Sequence, residues 1–345
     1  MRATWVAREL EKAFVASARS LPWRESYEPY AVWLSEVMLQ QTRMEVVLGY
    51  FRRFLDRFPD VAALAGASEE EVLAAWSGLG YYRRARALHR AAGEVMERFG
   101  GKLPAEVEML RTLPGIGRYT AGAIASIAHD RREPIVDGNV ARVIARLEAL
   151  PFEGGSPELM SRAWIVARKL VESCRSPQIF NQAIMEHGAL ICRPRNPRCD
   201  LCPVSDACRG YASGNPQQYP VLRRRRAVTR LQIPLYLVVD RRGRILVRRE
   251  EGPLMTAMMH LPHGNRRLLS EAEPGRFSRL GALGRFRHTV THRRVEFELW
   301  GARLIRPHHL PAGHLWIDAE ALAASAHPSY VRKALLLAER AIGGA

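Results

Sequence analysis

Lysine is almost missing from this sequence: four of its 52 basic side chains are lysine, which leaves 48 arginines. Acidic residues are too few to balance them, at 35, so the formal net charge is +17 at pH 7. Cysteine occurs only five times in 345 residues. No stretch of about 18 uncharged apolar residues exists, which leaves no candidate for a membrane-spanning helix. The first residues also lack the apolar core and small-residue cleavage site of a secretory signal. A cytoplasmic protein without disulfides is therefore expected.

What is present is a 47% apolar fraction, enough for sizeable cores in two domains of ordinary size. The positive surplus points to a polyanionic partner, of which nucleic acid is the commonest. A codon bias that replaces lysine by arginine explains the choice of cation. It does not explain a surplus of 17 charges.

The apolar pattern divides the chain. Residues 1–215 read as helical. In the stretch 45–58, Val47, Phe51, Phe54, Leu55 and Phe58 share one face, Arg52, Arg53 and Arg57 share the other, and Pro59 ends it. Similar patterns cover 69–77 and 83–98. Residues 216–228 read as a basic linker, with Pro216, Pro220 and the run Arg223 to Arg226. From 229 to 345 the period becomes two. Leu231, Ile233, Leu235, Leu237 and Val239 alternate with other residues, Ile245 to Val247 and Val295 to Leu299 follow, and an amphipathic helix closes at 329–342. That is an α+β domain.

Four of the five cysteines, Cys192, Cys199, Cys202 and Cys208, fall in the spacing C-x6-C-x2-C-x5-C. Without a secretory signal, such a set is read as a metal site, and spacing alone admits either zinc or [4Fe–4S]. Arg193, Arg195, Arg198 and Arg209 accompany it, either to meet phosphate or to balance the thiolates. Cys174 stands apart and reads as a small buried side chain. His260, His263, His308 and His309 read as solvated surface.

Leu113-Pro114-Gly115-Ile116-Gly117-Arg118-Tyr119-Thr120-Ala121-Gly122 is a tight turn that enters a helix. Glycines allow close backbone approach and a helix start exposes free N–H groups, the physics of a phosphate grip. Further on, Ile135-Val136-Asp137-Gly138-Asn139-Val140 places an acid at another helix start, where a capping role competes with a catalytic one. Glu36 sits in the apolar string Trp33-Leu34-Ser35-Glu36-Val37-Met38-Leu39-Gln40-Gln41-Thr42. Burying it ionised is expensive, so it is either salt-bridged and partly exposed or held neutral as a general acid.

In this order and spacing, the glycine hairpin, the Asp137 segment and the cysteine loop resemble the helix-hairpin-helix DNA glycosylases. The string 33–42 and Gly78-Leu79-Gly80-Tyr81-Tyr82-Arg83-Arg84-Ala85-Arg86 are similar to the MutY-type adenine DNA glycosylase family, strongest over 22–208. The resemblance implies a multidomain fold: an all-α helix-hairpin-helix glycosylase domain carrying one [4Fe–4S] cluster on the loop 192–208, then an α+β Nudix-like domain. It implies a monomer acting on double-stranded DNA with A:8-oxoguanine or A:G mispairs. Glu36 falls on the family's general acid, which protonates the flipped adenine and later helps activate water. Asp137 falls on the carboxylate that stabilises the oxocarbenium-like sugar, and Asn139 beside it orients that side.

Tyr119 stands where endonuclease III-like relatives carry the lysine that forms a Schiff base and cuts the strand. The resemblance therefore implies a monofunctional enzyme. Gln41 and Tyr81 fall on the wedge that fills the flipped base's gap, and Gly115, Gly117 and Arg118 on the DNA grip. Trp23, Arg24, Gln182 and Glu186 fall on the adenine pocket. Thr291 and His292 fall on the 8-oxoguanine loop, where Val290-Thr291-His292 replaces the family's usual Phe-Ser-His. The second domain lacks the magnesium-binding helix signature of Nudix hydrolases. Two competing readings are an endonuclease III-like glycosylase/AP lyase for oxidised pyrimidines and a non-catalytic damage binder. Tyr119 opposes the first and the presence of Glu36 and Asp137 the second.

Overall fold

The computed structural model describes residues 2–222, 229–249, 258–263, 277–290, 293–304, 310, 313–325 and 327–343. The chain divides into two compact units, Met1–Gly66 with Ala87–Arg224 and Ala67–Arg86 with Arg225–Ala345. In chain order the helices are α1 (Ala3–Ser17), α2 (Pro29–Leu39), α3 (Met44–Arg57), α4 (Val61–Gly66), α5 (Glu69–Ala75) and α6 (Arg83–Phe99). Then come α7 (Val107–Leu110), α8 (Arg118–Ala123), α9 (Gly138–Leu147), α10 (Pro157–Glu172), α11 (Pro177–Leu190) and α12 (Arg209–Ala212). Among the described residues, no helix is long and apolar enough to cross a membrane.

The first unit is helical, as the 3.6-residue period predicts. Helix α3 buries Val47, Phe51 and Phe54, with Phe58 just past its end, and turns its arginines outward. Helix α2 is different, because every residue from Tyr30 to Met38 is buried. A helix apolar all round must run through a core, and Glu36 is carried there with it. Ser156 and Ser176 cap α10 and α11, each followed by a proline whose missing N–H costs nothing at that position. Leu10 and Phe14 of α1, Val140 and Ile144 of α9, Leu170 of α10 and Phe180 of α11 form one core. Burial of each such side chain contributes roughly 1.5–3 kcal/mol.

The second unit holds a six-stranded sheet with β1 (Thr229–Val239), β2 (Ile245–Arg249), β3 (Met259–His260), β4 (Phe277–Val290), β5 (Arg293–Leu304) and β6 (His314–Ile317). The order is β3-β2-β1-β5-β4, and β6 pairs with β2. Strands β1 and β5 are parallel, from Thr229 opposite Arg293 to Val239 opposite Arg303. The other pairs are antiparallel. Two helices follow, α13 (Ala319–Ala324) and α14 (Ser329–Gly343). The alternation expected in β1 fails from Leu235 to Val238, where all four residues are buried. One face meets Val247, Phe297 and Leu299 with Val331 of α14, and the other meets Leu246 and Ala302. A central strand covered on both sides reads as a continuous apolar run.

His260 departs from the solvated-surface reading. It is 5% exposed, and its Nδ1 lies 2.7 Å from the Tyr330 hydroxyl. The alternating pattern could not reveal this, because the partner lies 70 residues away. His308 and His309 lie outside the described residues.

Candidate active site

The first unit contains a cleft of about 1090 Å³, walled by α2, α8, α9 and α11 and the loops before α2 and α3. Glu36, Tyr119, Asp137 and Asn139 all line it, as do Trp23, Arg24, Gln41, Gln182 and Glu186. Residues spread over 160 positions of sequence thus converge on one cavity. Glu36 is 7% exposed. Burial pushes its carboxyl up to about 7, and the neighbouring Asp137 pushes the same way, while a Tyr119 hydrogen bond and Arg24 pull it down. The carboxyl is thus buried, without a salt bridge among the described residues, in surroundings that favour its neutral form.

Asp137 both caps a helix and lines the cleft. It is the N-cap of α9, accepting from the Val140 N–H at 2.7 Å, and it faces the cleft. Its other oxygen accepts from Asn139 Nδ2 at 3.0 Å. Burial raises its pKa, and the hydrogen bonds from Val140 and Asn139 oppose that rise. Asn139 is itself held, because Arg142 donates to its Oδ1 at 2.8 Å and to the Cys192 carbonyl at 2.9 Å. One unbroken chain of hydrogen bonds therefore links the cysteine loop to the Asp137 carboxylate.

Glu186 is clamped by arginines. Arg24 reaches its Oε2 at 2.7 Å, and Arg19 donates from its side chain to Oε2 and from its backbone N–H to Oε1, each at 3.2 Å. Trp23 is 8% exposed and packs edge-on against Phe51 at 5.3 Å, so it is both core and cavity wall. Gln182 is 3% exposed and donates to the Gln178 carbonyl.

Gln41 and Tyr81 share a conformation that non-glycine residues rarely adopt, with φ of 58° and 49°. Strain of this kind persists where surrounding structure enforces it and clusters at functional positions. Tyr81 belongs to the second unit and is 38% exposed, with the buried Arg84 guanidinium 5.4 Å from its ring.

The hairpin's two glycines have different reasons. At Gly115 φ is +77°, and a Cβ there would meet the Ala87 Cβ at 2.6 Å. Around Gly117 nothing lies within 4 Å of that position. Gly117 is also the N-cap of α8 and brings no side-chain cap to the first N–H groups of that helix. Arg118, expected on DNA, lies with its guanidinium 3.8 Å over the Trp164 ring.

Cys192, Cys199, Cys202 and Cys208 converge on one small cavity. Burial pushes the Cys202 thiol up to about 12, and Cys192, Cys208 and Cys199 lie close enough to add to the effect. As thiolates these four groups would repel one another, so the set suits a cationic centre that displaces their protons. Buried Arg146 supports the loop, donating to Cys192 Sγ at 3.3 Å and to the Arg193 carbonyl at 2.7 Å. Among the described residues, no three His, Cys, Asp or Glu side chains are grouped tightly enough to hold a single metal ion. Cys174 is buried as expected, and burial keeps its thiol protonated. Thr291 and His292 lie outside the described residues.

Sequence reasoning missed Arg19, Met185 and Arg142. None lies in a motif, and each acts through a partner between 3 and 167 positions away.

Residues 34–168 match the family model described as HhH-GPD superfamily base excision DNA repair protein. The chain is 48% identical over 202 residues to the adenine DNA glycosylase of Mus musculus, covering 56% of this chain and 39% of that protein. For the Homo sapiens adenine DNA glycosylase the identity is 47%, covering 55% and 36%. For that of Buchnera aphidicola subsp. Schizaphis graminum it is 38%, covering 61% and 60%. The matches thus span about two fifths of the mammalian proteins' length. Among solved structures, a thermostable thymine-DNA glycosylase is 26% identical with a TM-score of 0.54, covering 60% of this chain and 95% of that one. An endonuclease III–DNA complex shares the fold at 22% identity and a TM-score of 0.50, over 60% and 94%.

Proposed function

We propose, from the match of residues 34–168 to the HhH-GPD superfamily base excision DNA repair proteins and from the sheet domain that follows, that the chain is a monofunctional adenine DNA glycosylase. Its substrate is duplex DNA with adenine opposite 8-oxoguanine or guanine. The observation that carries this reading is the buried Glu36 carboxyl in one cleft with Asp137 and Tyr119, where burial pushes its pKa up to about 7.

Adenine is a poor leaving group until its ring is protonated. Glu36, kept neutral by burial, supplies that proton to the Hoogsteen edge of the flipped base. The sugar then develops positive charge, and Asp137, held by Val140 and Asn139, faces it as an anion. Water completes the reaction, with the Glu36 carboxylate now available as base. This pairing of neutral acid and fixed anion parallels the two carboxylates of sugar hydrolases. No primary amine stands at position 119, so no Schiff base forms there and the strand stays intact.

Trp23, Gln182 and Glu186 would hold the adenine, with Arg24 and Arg19 fixing Glu186. Gln41 and Tyr81, in strained backbone, would enter the duplex beside the flipped base. The hairpin N–H groups would take a phosphate where Gly117 leaves room. Cys192, Cys199, Cys202 and Cys208 would hold one [4Fe–4S] cluster. Such a cluster would cross-link the loop whose Cys192 carbonyl Arg142 grips. The sheet domain is Nudix-like in this reading and senses 8-oxoguanine through Thr291 and His292.

The test is Glu36→Gln, which keeps shape and removes the proton. Base removal under single-turnover conditions should fall by several orders of magnitude while affinity for the mispaired duplex changes little. A rate close to that of the native protein would remove Glu36 from the chemistry.

A further inference from the structure

Between α5 and α6 the backbone takes a course that its own sequence does not favour. Gly78, Gly80 and Tyr81 all have positive φ, of 103°, 70° and 49°. For tyrosine this conformation is costly and persists only where the surroundings over-determine it. Several of the clamps are local. The Trp76 indole N–H donates to the Gly80 carbonyl at 3.1 Å, and Arg84 Nη2 donates to the carbonyls of Leu79 and Gly80 at 3.2 and 3.1 Å. The Arg84 backbone N–H donates to the Tyr81 carbonyl at 2.8 Å. Tyr82 reaches much further. Its ring is buried, and its hydroxyl donates at 2.8 Å to the carbonyl of His327, 245 positions along the chain. The same hydroxyl accepts the Gly78 N–H at 3.4 Å. His327 is itself buried and leads into α14, whose Tyr330 and Val331 belong to the core beneath the sheet. All of these residues fall in one compact unit. Glu70 of α5 also meets Arg249 of β2, at 3.7 Å, but both side chains are exposed and such a pair contributes little. The buried hydroxyl is therefore the stronger link between this turn and the C-terminal stretch.

We propose that Tyr82 is a positioning residue for Tyr81: its hydroxyl pins the turn 78–82 to the His327 carbonyl and so fixes the left-handed backbone from which Tyr81 is presented. This inference deepens the reading of Tyr81 as a side chain that enters the duplex, and it rests on that reading for its functional meaning. The two adjacent tyrosines divide the work. Tyr82, 7% exposed, is the anchor, and Tyr81, 38% exposed, is the side chain held out. Without the anchor the turn relaxes towards ordinary backbone and re-aims the Tyr81 ring. A wedge that must be ordered again at each encounter lowers affinity for a duplex that needs one. Contacts to phosphate, common to every duplex, are left as they were. The tie thus serves discrimination between duplexes more than binding at large. The stretch proposed to sense 8-oxoguanine thereby also sets the wedge.

Tyr82→Phe keeps the ring and removes the hydroxyl. In the intact protein without DNA, hydrogen–deuterium exchange of the peptide spanning 78–82 should speed up roughly two- to tenfold, as expected for the loss of one hydrogen bond. Unchanged exchange there overturns the proposal. So does an equal acceleration throughout the unit, which would mean that Tyr82 only stabilises the fold. The second readout is a ratio of affinities, for a duplex with cleavage-resistant 2′-fluoro-2′-deoxyadenosine opposite 8-oxoguanine over a fully paired duplex. Tyr82→Phe should lower this ratio roughly two- to tenfold and leave the affinity for the paired duplex nearly unchanged. In a Tyr81→Ala background, where no ring remains to be aimed, Tyr82→Phe should lower it no further. An equal loss in both backgrounds overturns the proposal, because Tyr82 would then act otherwise than through Tyr81. So does a native ratio in Tyr82→Phe when Tyr81→Ala lowers it. If Tyr81→Ala alone keeps the native ratio, the wedge reading fails, and the tie is still judged by exchange in the free protein.

Discussion

At the scale of single residues, Glu36 pays a stability cost for its position. Its pKa is about 7 in the folded chain, against 4.5 when unperturbed. Between those values the unfolded chain loses the proton and the folded chain keeps it. Stability is therefore highest below pH 4.5 on this account and is lost as pH rises to about 7. The loss amounts to about 3 kcal/mol. Glu36→Gln should be the more stable protein at pH 8 by up to that amount, with the difference closing near pH 4.5. Chemical denaturation at the two pH values checks this, and an equal gap at both would mean that Glu36 carries no unusual proton. Activity should follow the same group. In the proposed mechanism base removal requires the protonated acid, so the rate should decline as pH rises through about 7. Glu36 was legible in the sequence as an acid in an apolar string, but whether it was buried or bridged was not. That depends on α2 lying inside the core, which only the packing of the other helices decides.

At the scale of elements, the hairpin between α7 and α8 separates folding from binding. Gly115→Ala forces a side chain into Ala87 and onto a backbone with φ of +77°. It should cost about 1–3 kcal/mol of stability. Gly117→Ala meets open space and ordinary backbone, with φ of −87°, so it should fold almost normally. It should nevertheless weaken DNA binding, because the added methyl stands where a phosphate approaches. Thermal melts paired with duplex affinity test both, and equal stability losses would contradict the distinction. The hairpin's existence was plain from its glycines and proline. The division of labour between its glycines was not, since Ala87 comes from a distant part of the chain. Arg118 shows the same limit, because its neighbour Trp164 is 46 positions on and no local pattern pairs them. The helices were legible from their period. The double burial of β1 was not, because alternation cannot say whether a second layer covers the far face.

At the scale of the whole molecule, charge and chain division qualify each other. Residues 1–220 carry 29 basic and 25 acidic side chains, whereas 221–345 carry 23 and 10. The candidate cleft thus lies in the less basic part, and most of the surplus lies beyond it. Truncation at 221 is a poor test of that surplus, because residues 67–86 cluster with the C-terminal unit and would lose their partners. That grouping had no sequence signal, since 69–77 reads as one more amphipathic helix. Neutralising the exposed Arg241, Arg242, Arg293 and Arg294 to glutamine keeps the unit intact. The salt dependence of duplex binding should flatten by up to about 0.9 in log–log slope for each phosphate contact removed. An unchanged slope would assign the surplus to arginine-rich composition. The central claim is tested most directly by incubating the intact protein with duplexes carrying adenine opposite 8-oxoguanine, adenine opposite guanine, or thymine glycol, with and without alkali afterwards. The account predicts free adenine from the first two and strand breaks only after alkali. Strand cleavage without alkali, or action on thymine glycol alone, would contradict it.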